Sequence, residues 1–330
     1  MGSACDPGPV RVLVLGGTRF IGRRIVARLA GRGDAVLVVH RGESEPSGPA
    51  DGSHLHADRQ QLARHRARIR AFGADAVVDT YALTAADVDA VLPVLPDVPT
   101  VVLSSQDVYE AVNGLHAGRA VAAVPLTEDA QLRRNRYPYR GAGLPQVPDD
   151  YDKLDVEARW LPRGAVVLRL PMVYGPYDGQ AREDVVLRRV RAGRNRMPIG
   201  SGGLLWSRAH VDDVASAVLS ALDTRAADGR AVNIGETPTA TMGAWAAQIV
   251  AAAGAALELV RVQDDVLPPD LALFGAPVQH LLADVRLAAE LLGWAARERV
   301  AESVAWHLAH PPWGGFDAAA DERALATADR

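Results

Sequence analysis

Val10-Arg11-Val12-Leu13-Val14-Leu15-Gly16-Gly17-Thr18-Arg19-Phe20-Ile21-Gly22 is the stretch on which the reading of this chain turns. Val10 to Leu15 is short, nearly all apolar and rich in valine, the pattern of a strand buried on both faces. Glycines follow, and an amphipathic run continues through Leu29, so the stretch reads as strand, glycine turn and helix. Glycines at such a turn let the backbone approach a pyrophosphate, whose charge is met by the free N–H groups of the helix N-terminus. Gly16, Thr18, Arg19, Phe20, Ile21 and Gly22 are therefore candidate dinucleotide contacts. Glycines alone would serve any tight turn. The strand before them and the helix behind them give the stretch its meaning.

Working outward, Ala35 to Val39 repeats the apolar strand pattern and ends in His40-Arg41, where a dinucleotide fold meets the adenosine ribose. An acidic residue there would accept from a 2′-hydroxyl and repel a 2′-phosphate, but neither position is acidic. Arg41, with Arg19, offers a phosphate bidentate bonds, so NADP is favoured while NAD stays open. Gly42 to Gly52 reads as a loop, and His54 to Ala57 as a third strand with Asp58-Arg59 at its end, near the expected adenine. The His54-x-His56 pair lies on one face of that strand without a third ligand of matching spacing, so no metal is expected. Ala74 to Val78 and Pro99 to Leu103 are further strands, separated by a helix near Ala85 to Leu95. This alternation predicts an α/β chain, a Rossmann-type doubly wound parallel sheet with a smaller C-terminal α+β substrate domain. Thr80-Tyr81-Ala82 and Ser104-Ser105-Gln106-Asp107 leave strand ends, where open parallel sheets build their sites.

Residues 111 to 148 are rich in Gly, Pro and Arg and nearly aperiodic, as in a lid or binding loop. Asp149-Asp150-Tyr151-Asp152-Lys153-Leu154-Asp155-Val156-Glu157 comes next. Of the 36 Lys plus Arg residues only Lys153 is a lysine, and Arg cannot replace Lys where a compact charge must act on a neighbour. Later landmarks are a strand at Ala165 to Leu170, helices near Glu183 to Ala192 and from His210 to about Leu222, and a strand at Ala231 to Ile234. Three further helices fit Thr241 to Ala253, Asp284 to Leu292 and Glu298 to Ala309. The expected division is a dinucleotide-binding domain over 1–170 and a substrate domain over 171–310, with about 205–235 returning to the first. The acidic, Ala-rich tail over 311–330 reads as loosely held.

The 330 residues are 48% hydrophobic with a net charge of -4, which gives no overall basic footprint for nucleic acid. No apolar run approaches the roughly 20 residues of a membrane span. Met1 to Pro9 lacks a secretory pattern, and Cys5 as the single cysteine excludes an internal disulfide framework; a cytoplasmic protein with a small-molecule partner is expected. Cys5 itself reads as a disordered bystander in a Gly/Pro-rich leader.

Together these landmarks resemble the extended short-chain dehydrogenases/reductases, the NAD(P)-dependent sugar epimerases and dehydratases. The likeness runs from Gly16 to about Trp306. It is carried by the GGTRFIG turn, Ser-Ser-x-x-Val-Tyr at 104–109, Lys-Leu-x-Val-Glu at 153–157, Arg-Leu-Pro-Met-Val-Tyr-Gly-Pro at 169–176, His-Val-Asp-Asp-Val-Ala at 210–215, Asn-Ile-Gly at 233–235 and Asp284 ahead of Leu-Gly-Trp at 292–294. The resemblance implies that Ser105 bonds a substrate hydroxyl, that Lys153 holds the nicotinamide ribose, and that Ser104, Pro171 and Val173 line the cofactor. It also implies substrate contacts from Gln106, Tyr174 and Arg208, and a homodimer through first-domain helices.

Three departures matter. The family's tyrosine, four residues before the lysine, is Asp149 here. Tyr151, two residues before Lys153, serves only if the helix begins at or after it, and Asp149 is the other candidate base. The carboxylate pair of dehydratases is reduced to Gln106-Asp107, leaving Asp107 to take a carbon-bound proton beside a transient ketone or to cap a helix. The arginine that grips a diphosphate is replaced by Trp206, with Arg208 displaced by two, which argues against a nucleotide-diphosphate substrate. The expectation is a redox-neutral epimerase or dehydratase of a sugar-like or nucleoside-like substrate. The alternatives are an NADPH-dependent ketone reductase and a non-catalytic NAD(P)-binding regulator.

Overall fold

The computed structural model describes residues 9–44, 52–310 and 314–328; Cys5 and part of the loop after Gly42 lie outside them. The strands in chain order are β1 (Arg11–Leu15), β2 (Ala35–His40), β3 (Ser53–His56), β4 (Ala76–Asp79), β5 (Thr100–Ser105), β6 (Val166–Leu170), β7 (Met172–Tyr174), β8 (Arg196–Ile199), β9 (Arg208–His210), β10 (Ala231–Asn233) and β11 (Glu258–Arg261). Seven of them form one sheet in the order β10-β6-β5-β4-β1-β2-β3. Every neighbouring pair in it is parallel. The valine-rich runs predict this, since a strand covered by helices on both faces has no polar side to present.

The helices are α1 (Phe20–Arg32), α2 (Arg66–Phe72), α3 (Ala85–Val91), α4 (Glu110–His116), α5 (Lys153–Trp160), α6 (Asp184–Arg191), α7 (Val211–Leu222), α8 (Met242–Ala252), α9 (Arg286–Leu292), α10 (Val300–Ala309) and α11 (Ala318–Ala328). One face of the sheet buries Val12, Val14, Val36 and Val38 with Ile25 and Leu29 of α1 and Val214 and Val218 of α7. The opposite face buries Leu13, Leu15, Val77 and Val102 with Val88 of α3 and Val156 and Trp160 of α5. Alternation along each strand sends its side chains to these two cores by turns. A third core, around Tyr174, Leu187, Met197, Trp245 and Ile249, joins α6, α8 and α10 to the short pairs β7–β9 and β8–β11.

Gly16 explains why the first turn needs glycine. Its φ is 86°, and a Cβ there would lie 2.8 Å from Thr80 Oγ1. The strand order reverses between β1 and β4, so Gly16, Thr80 and Ser105 share the carboxyl edge where such sheets form a crevice.

Two expectations are corrected. The tail is not loosely held over its described part, because α11 docks through a buried Asp321 that accepts from Arg189 Nε at 2.7 Å and Nη2 at 2.8 Å. Ala324 and Leu325, both buried, share that helix face by their i, i+3, i+4 spacing. The segment over 111–148, read as nearly aperiodic, opens on a helix instead. It starts inside α4, bridges Tyr109 to Leu132 and Leu126 to Ala283, and buries Arg133. Among the described residues no helix is long and apolar enough to cross a membrane.

Candidate active site

The start of α5 sets the geometry. Asp152 caps it, accepting from the Leu154 N–H at 3.0 Å, so Lys153 is the first helical residue and Tyr151 precedes the helix. Tyr151 is therefore freed from the 100° step that would turn it away from Lys153. Its hydroxyl donates to Asp107 Oδ2 at 2.6 Å. On the facing strand end Ser105 caps the short turn over 106–108, its Oγ accepting from the Asp107 N–H at 3.1 Å. The cap is thus Ser105 and not Asp107, and the turn that Ser105 makes puts Asp107 against Tyr151.

Arg133 holds the two halves together. Its buried guanidinium donates to the Asp107 carbonyl at 3.0 Å through Nε and to Asp152 Oδ1 at 2.5 Å through Nη2. Arg136 Nε donates to Asp152 Oδ2 at 2.6 Å. Burial works against the Asp152 charge, but the bonds from Arg133 and Arg136 outweigh it and hold that carboxyl below its ordinary range.

Asp107 is buried, and its Oδ1 has no hydrogen-bond partner among the described residues. Burial pushes its carboxyl upward, against the opposing pull of the Tyr151 bond and of Arg133 and Lys153. Tyr151 is pushed well above the ordinary phenol range by burial and by the Asp107 charge. Lys153 donates to the carbonyls of Ala82 at 2.6 Å and Leu103 at 3.0 Å, and burial lowers its pKa. A second phenol, Tyr139, packs on Tyr151 with ring centroids 5.3 Å apart and its hydroxyl 3.5 Å from Asp107 Oδ2.

Several expected site residues are placed elsewhere. Asp149 is exposed and accepts from the Gly141 N–H at 2.9 Å; it is a central residue of the turn that the Tyr151 N–H closes on the Pro148 carbonyl at 2.9 Å, whereas Tyr151 at the end of that turn is buried. Ser104 points to the opposite face from Ser105 and donates to Glu157 Oε1 at 2.6 Å, part of a buried pair with Arg169. Gln106 is buried and donates to the Ile234 carbonyl at 3.0 Å. Tyr174 is fully buried and donates to Glu236 Oε1 at 2.5 Å. Arg208 is 1% exposed, turned to the Ala240 carbonyl with its guanidinium carbon 4.9 Å from the Trp245 ring centroid. Neither Tyr174 nor Arg208 thus offers a substrate an open group, because alternation along β7 and β9 turns both into the third core.

At the cofactor edge, Thr80 Oγ1 donates to the carbonyls of Leu15, at 2.8 Å, and of Gly16. Ala82 is buried and Tyr81 half exposed. Asp58 caps its own turn by accepting from Gln60 N–H at 2.7 Å, and Arg59 is paired with the buried Asp79. Arg41 is exposed and paired with Glu43 at 2.9 Å. Pro171 is half-buried and Val173 lies within the first core. His40 is buried and bonds His54, Nε2 to Nδ1, at 2.7 Å. The His54-x-His56 pair does acquire a third imidazole, because strand pairing sets His40 directly beside His56. Register across two strands is what spacing within one strand could not reveal.

The turn fits a dinucleotide. Arg19 at the N-cap of α1 makes no side-chain cap, and no acidic residue occupies the first turn, so the positive end of the helix keeps its N–H groups for an anion. Phe20 takes φ of 34°, a left-handed conformation, at the point where the turn enters the helix.

Fold and site define the class: an NAD(P)-dependent enzyme of the extended short-chain dehydrogenase/reductase type. The family described as "NAD dependent epimerase/dehydratase family" matches residues 12–121 and 162–235, and the chain belongs to it. Among curated proteins it is similar to the chloroplast stem-loop binding protein of 41 kDa b of Arabidopsis thaliana, 26% identical over 303 residues, covering 86% of this chain and 74% of that protein. It is equally similar to the 3-diazoavenalumate denitrifying reductase of a Streptomyces species, 26% identical over 335 residues, covering 92% of this chain and 98% of the relative. Among solved structures, dTDP-glucose 4,6-dehydratase from Bacillus anthracis in complex with NAD superposes with a TM-score of 0.68 at 16% identity, covering 92% of this chain and 98% of that one.

Proposed function

We propose that the protein is a redox-neutral epimerase or dehydratase that works through a transient ketone on a sugar-like or nucleoside-like polyhydroxylated substrate without a nucleotide diphosphate. The observation that carries this reading is Asp107, a buried carboxyl with a raised pKa, bonded at 2.6 Å to a phenol and with Oδ1 unpartnered among the described residues. In this reading Ser105 bonds the substrate hydroxyl. Tyr151 accepts that hydroxyl's proton while passing its own to Asp107 Oδ2, so no phenolate stands beside a carboxylate. Bound NAD(P) supplies a reversible hydride acceptor. Running the relay backwards returns the proton, and inversion at the carbinol carbon requires in addition that the transient ketone turn over in the site so that its opposite face is the one reduced. Loss of water needs in addition that Asp107 hands the proton it has received to the departing hydroxyl, and so becomes ionised to take the carbon-bound proton acidified by the neighbouring ketone.

An ammonium carries three N–H donors, and Lys153 spends two on Ala82 and Leu103, which leaves one for a nicotinamide ribose. Gly16, Thr18, Arg19, Phe20, Ile21 and Gly22 would hold the pyrophosphate, with Thr80 and Tyr81 beside them. The lack of an acid at His40-Arg41 supports NADP, although Arg41 must leave Glu43 to take a 2′-phosphate. The turning of Arg208 into the core supports a substrate without a diphosphate. The same proposal includes a division near residue 170 with 205–235 returning to the first domain, a cytoplasmic location, a homodimer and no nucleic-acid partner.

Net ketone reduction is the second reading, favoured by a Tyr151 phenol that burial and Asp107 keep protonated, as a proton donor must be. Mass and absorbance of the nucleotide that copurifies, followed by assays of polyols with no added reductant, separate the two. Turnover on a retained oxidised nucleotide supports the proposal. Product formed only with stoichiometric consumption of NADPH overturns it in favour of the reductase.

A further inference from the structure

We propose that His40, His54 and His56 form a binding site for a divalent transition-metal ion. The site stands apart from the Asp107 chemistry and does not depend on it. Parallel pairing of β2 with β3 sets His40 opposite His56, and His54, two residues earlier, falls on the same face. One ring nitrogen from each of the three residues lies within 4.8 Å of the others. The His40 ring centroid is 4.9 Å from that of His54 and 4.9 Å from that of His56, so modest side-chain rotations bring three lone pairs onto one ion.

The donor set selects the ion. Three neutral imidazoles suit zinc, copper(II), nickel or cobalt, whereas magnesium and calcium demand oxygen ligands. A graded exposure supplies an entry path: His40 is buried, His54 half-buried and His56 exposed, leaving the outer coordination position to water. His40 Nδ1 accepts from the Gly42 N–H at 3.1 Å, which places the ring proton on Nε2, in the bond to His54. Coordination through Nε2 moves that proton to Nδ1. The metal then takes the place of the His40–His54 bond, and Gly42 at φ 82° swings its N–H aside. No proton is lost from His40 in the exchange.

Cobalt(II) titration of the chelator-treated full chain tests the site, with zinc affinity measured by calorimetry. One equivalent of cobalt is expected to give the visible absorption of a low-coordinate, nitrogen-ligated ion. His56→Asn, at an exposed position that does not threaten folding, and His54→Asn are each expected to weaken zinc by about tenfold or more. His65→Asn and His116→Asn, controls at imidazoles outside the cluster, are expected to leave zinc binding unchanged. Absence of the cobalt band, or zinc affinity unchanged in both His54→Asn and His56→Asn, overturns the proposal.

Discussion

Two tyrosine–carboxylate pairs are built into this molecule with nearly the same bond and different surroundings. Tyr151 donates to Asp107 at 2.6 Å, and Tyr174 donates to Glu236 at 2.5 Å. The first pair lies at the carboxyl edge of the parallel sheet, with Lys153 and Ser105 beside it. The second lies inside the third core, with the Tyr174 ring 5.7 Å from that of Trp245 and 5.4 Å from that of His210. Tyr174 stands in a motif of the resemblance and Tyr151 departs from one by two residues, yet the sheet edge gathers a donor, a base and a cation around Tyr151 only. A short phenol–carboxylate bond is therefore not what marks a reacting group; its place on the sheet is.

The contrast predicts a graded series. Tyr151→Phe and Asp107→Asn should each lower kcat by about 10²–10⁴-fold with little change in dinucleotide affinity, as loss of an acid/base partner does. Steady-state kinetics with a nucleotide-binding titration check this. Next comes the anchor between the two halves of the site: Arg133→Met leaves the half-exposed Arg136 as the remaining cation beside the buried Asp152 and should cost about 3–5 kcal/mol in chemical denaturation. Tyr174→Phe should leave kcat within about threefold of wild type while costing about 1–3 kcal/mol for the lost buried bond. A Tyr174→Phe variant as inactive as Tyr151→Phe would break the comparison.

Glu236 sharpens the same contrast through pH. Burial pushes its carboxyl up to about 7, against the Tyr174 bond and Arg208. Folding thus favours the protonated acid, whose contribution is full below the unfolded-state value of 4.5 and is lost as pH rises through about 7. Thermal melts from pH 4 to 8 should show a fall in stability of up to roughly 3 kcal/mol that Glu236→Gln removes. The smallest effect is expected at Asp149, where exposure and a side-chain bond to the Gly141 N–H, away from Asp107, predict that Asp149→Ala changes turnover less than about twofold.

What could be read from the chain follows from where the interactions lie. The Gly16–Gly22 turn, the valine-rich strands and the Tyr151/Lys153 pair depend on local pattern, and periodicity exposes them. The start of α5 was legible as a condition, because only a helix beginning at or after Tyr151 lets it join Lys153. Arg133 and Tyr139 were missed because their partners are 19 and 32 residues away, in a segment whose Gly/Pro content suggested a loop with nothing to bury. Four arginines in Arg133-Arg134-Asn135-Arg136-Tyr137-Pro138-Tyr139-Arg140 ahead of three nearby aspartates were the available signal. The tail was misread because Ala-rich, acidic composition hides the Asp321, Ala324, Leu325 face, and Arg189, its partner, lies 132 residues earlier.

Carboxyl titration of Asp107 by 13C NMR, in wild type and in Tyr151→Phe, bears most directly on the role assigned to that residue. The resonance, assigned by its loss in Asp107→Asn, should titrate above the ordinary aspartate value of 3.8, and higher still once the Tyr151 bond that favours its charge is removed. An Asp107 that titrates at or below 3.8, unmoved by Tyr151→Phe, would contradict the proton relay on which the proposed chemistry rests.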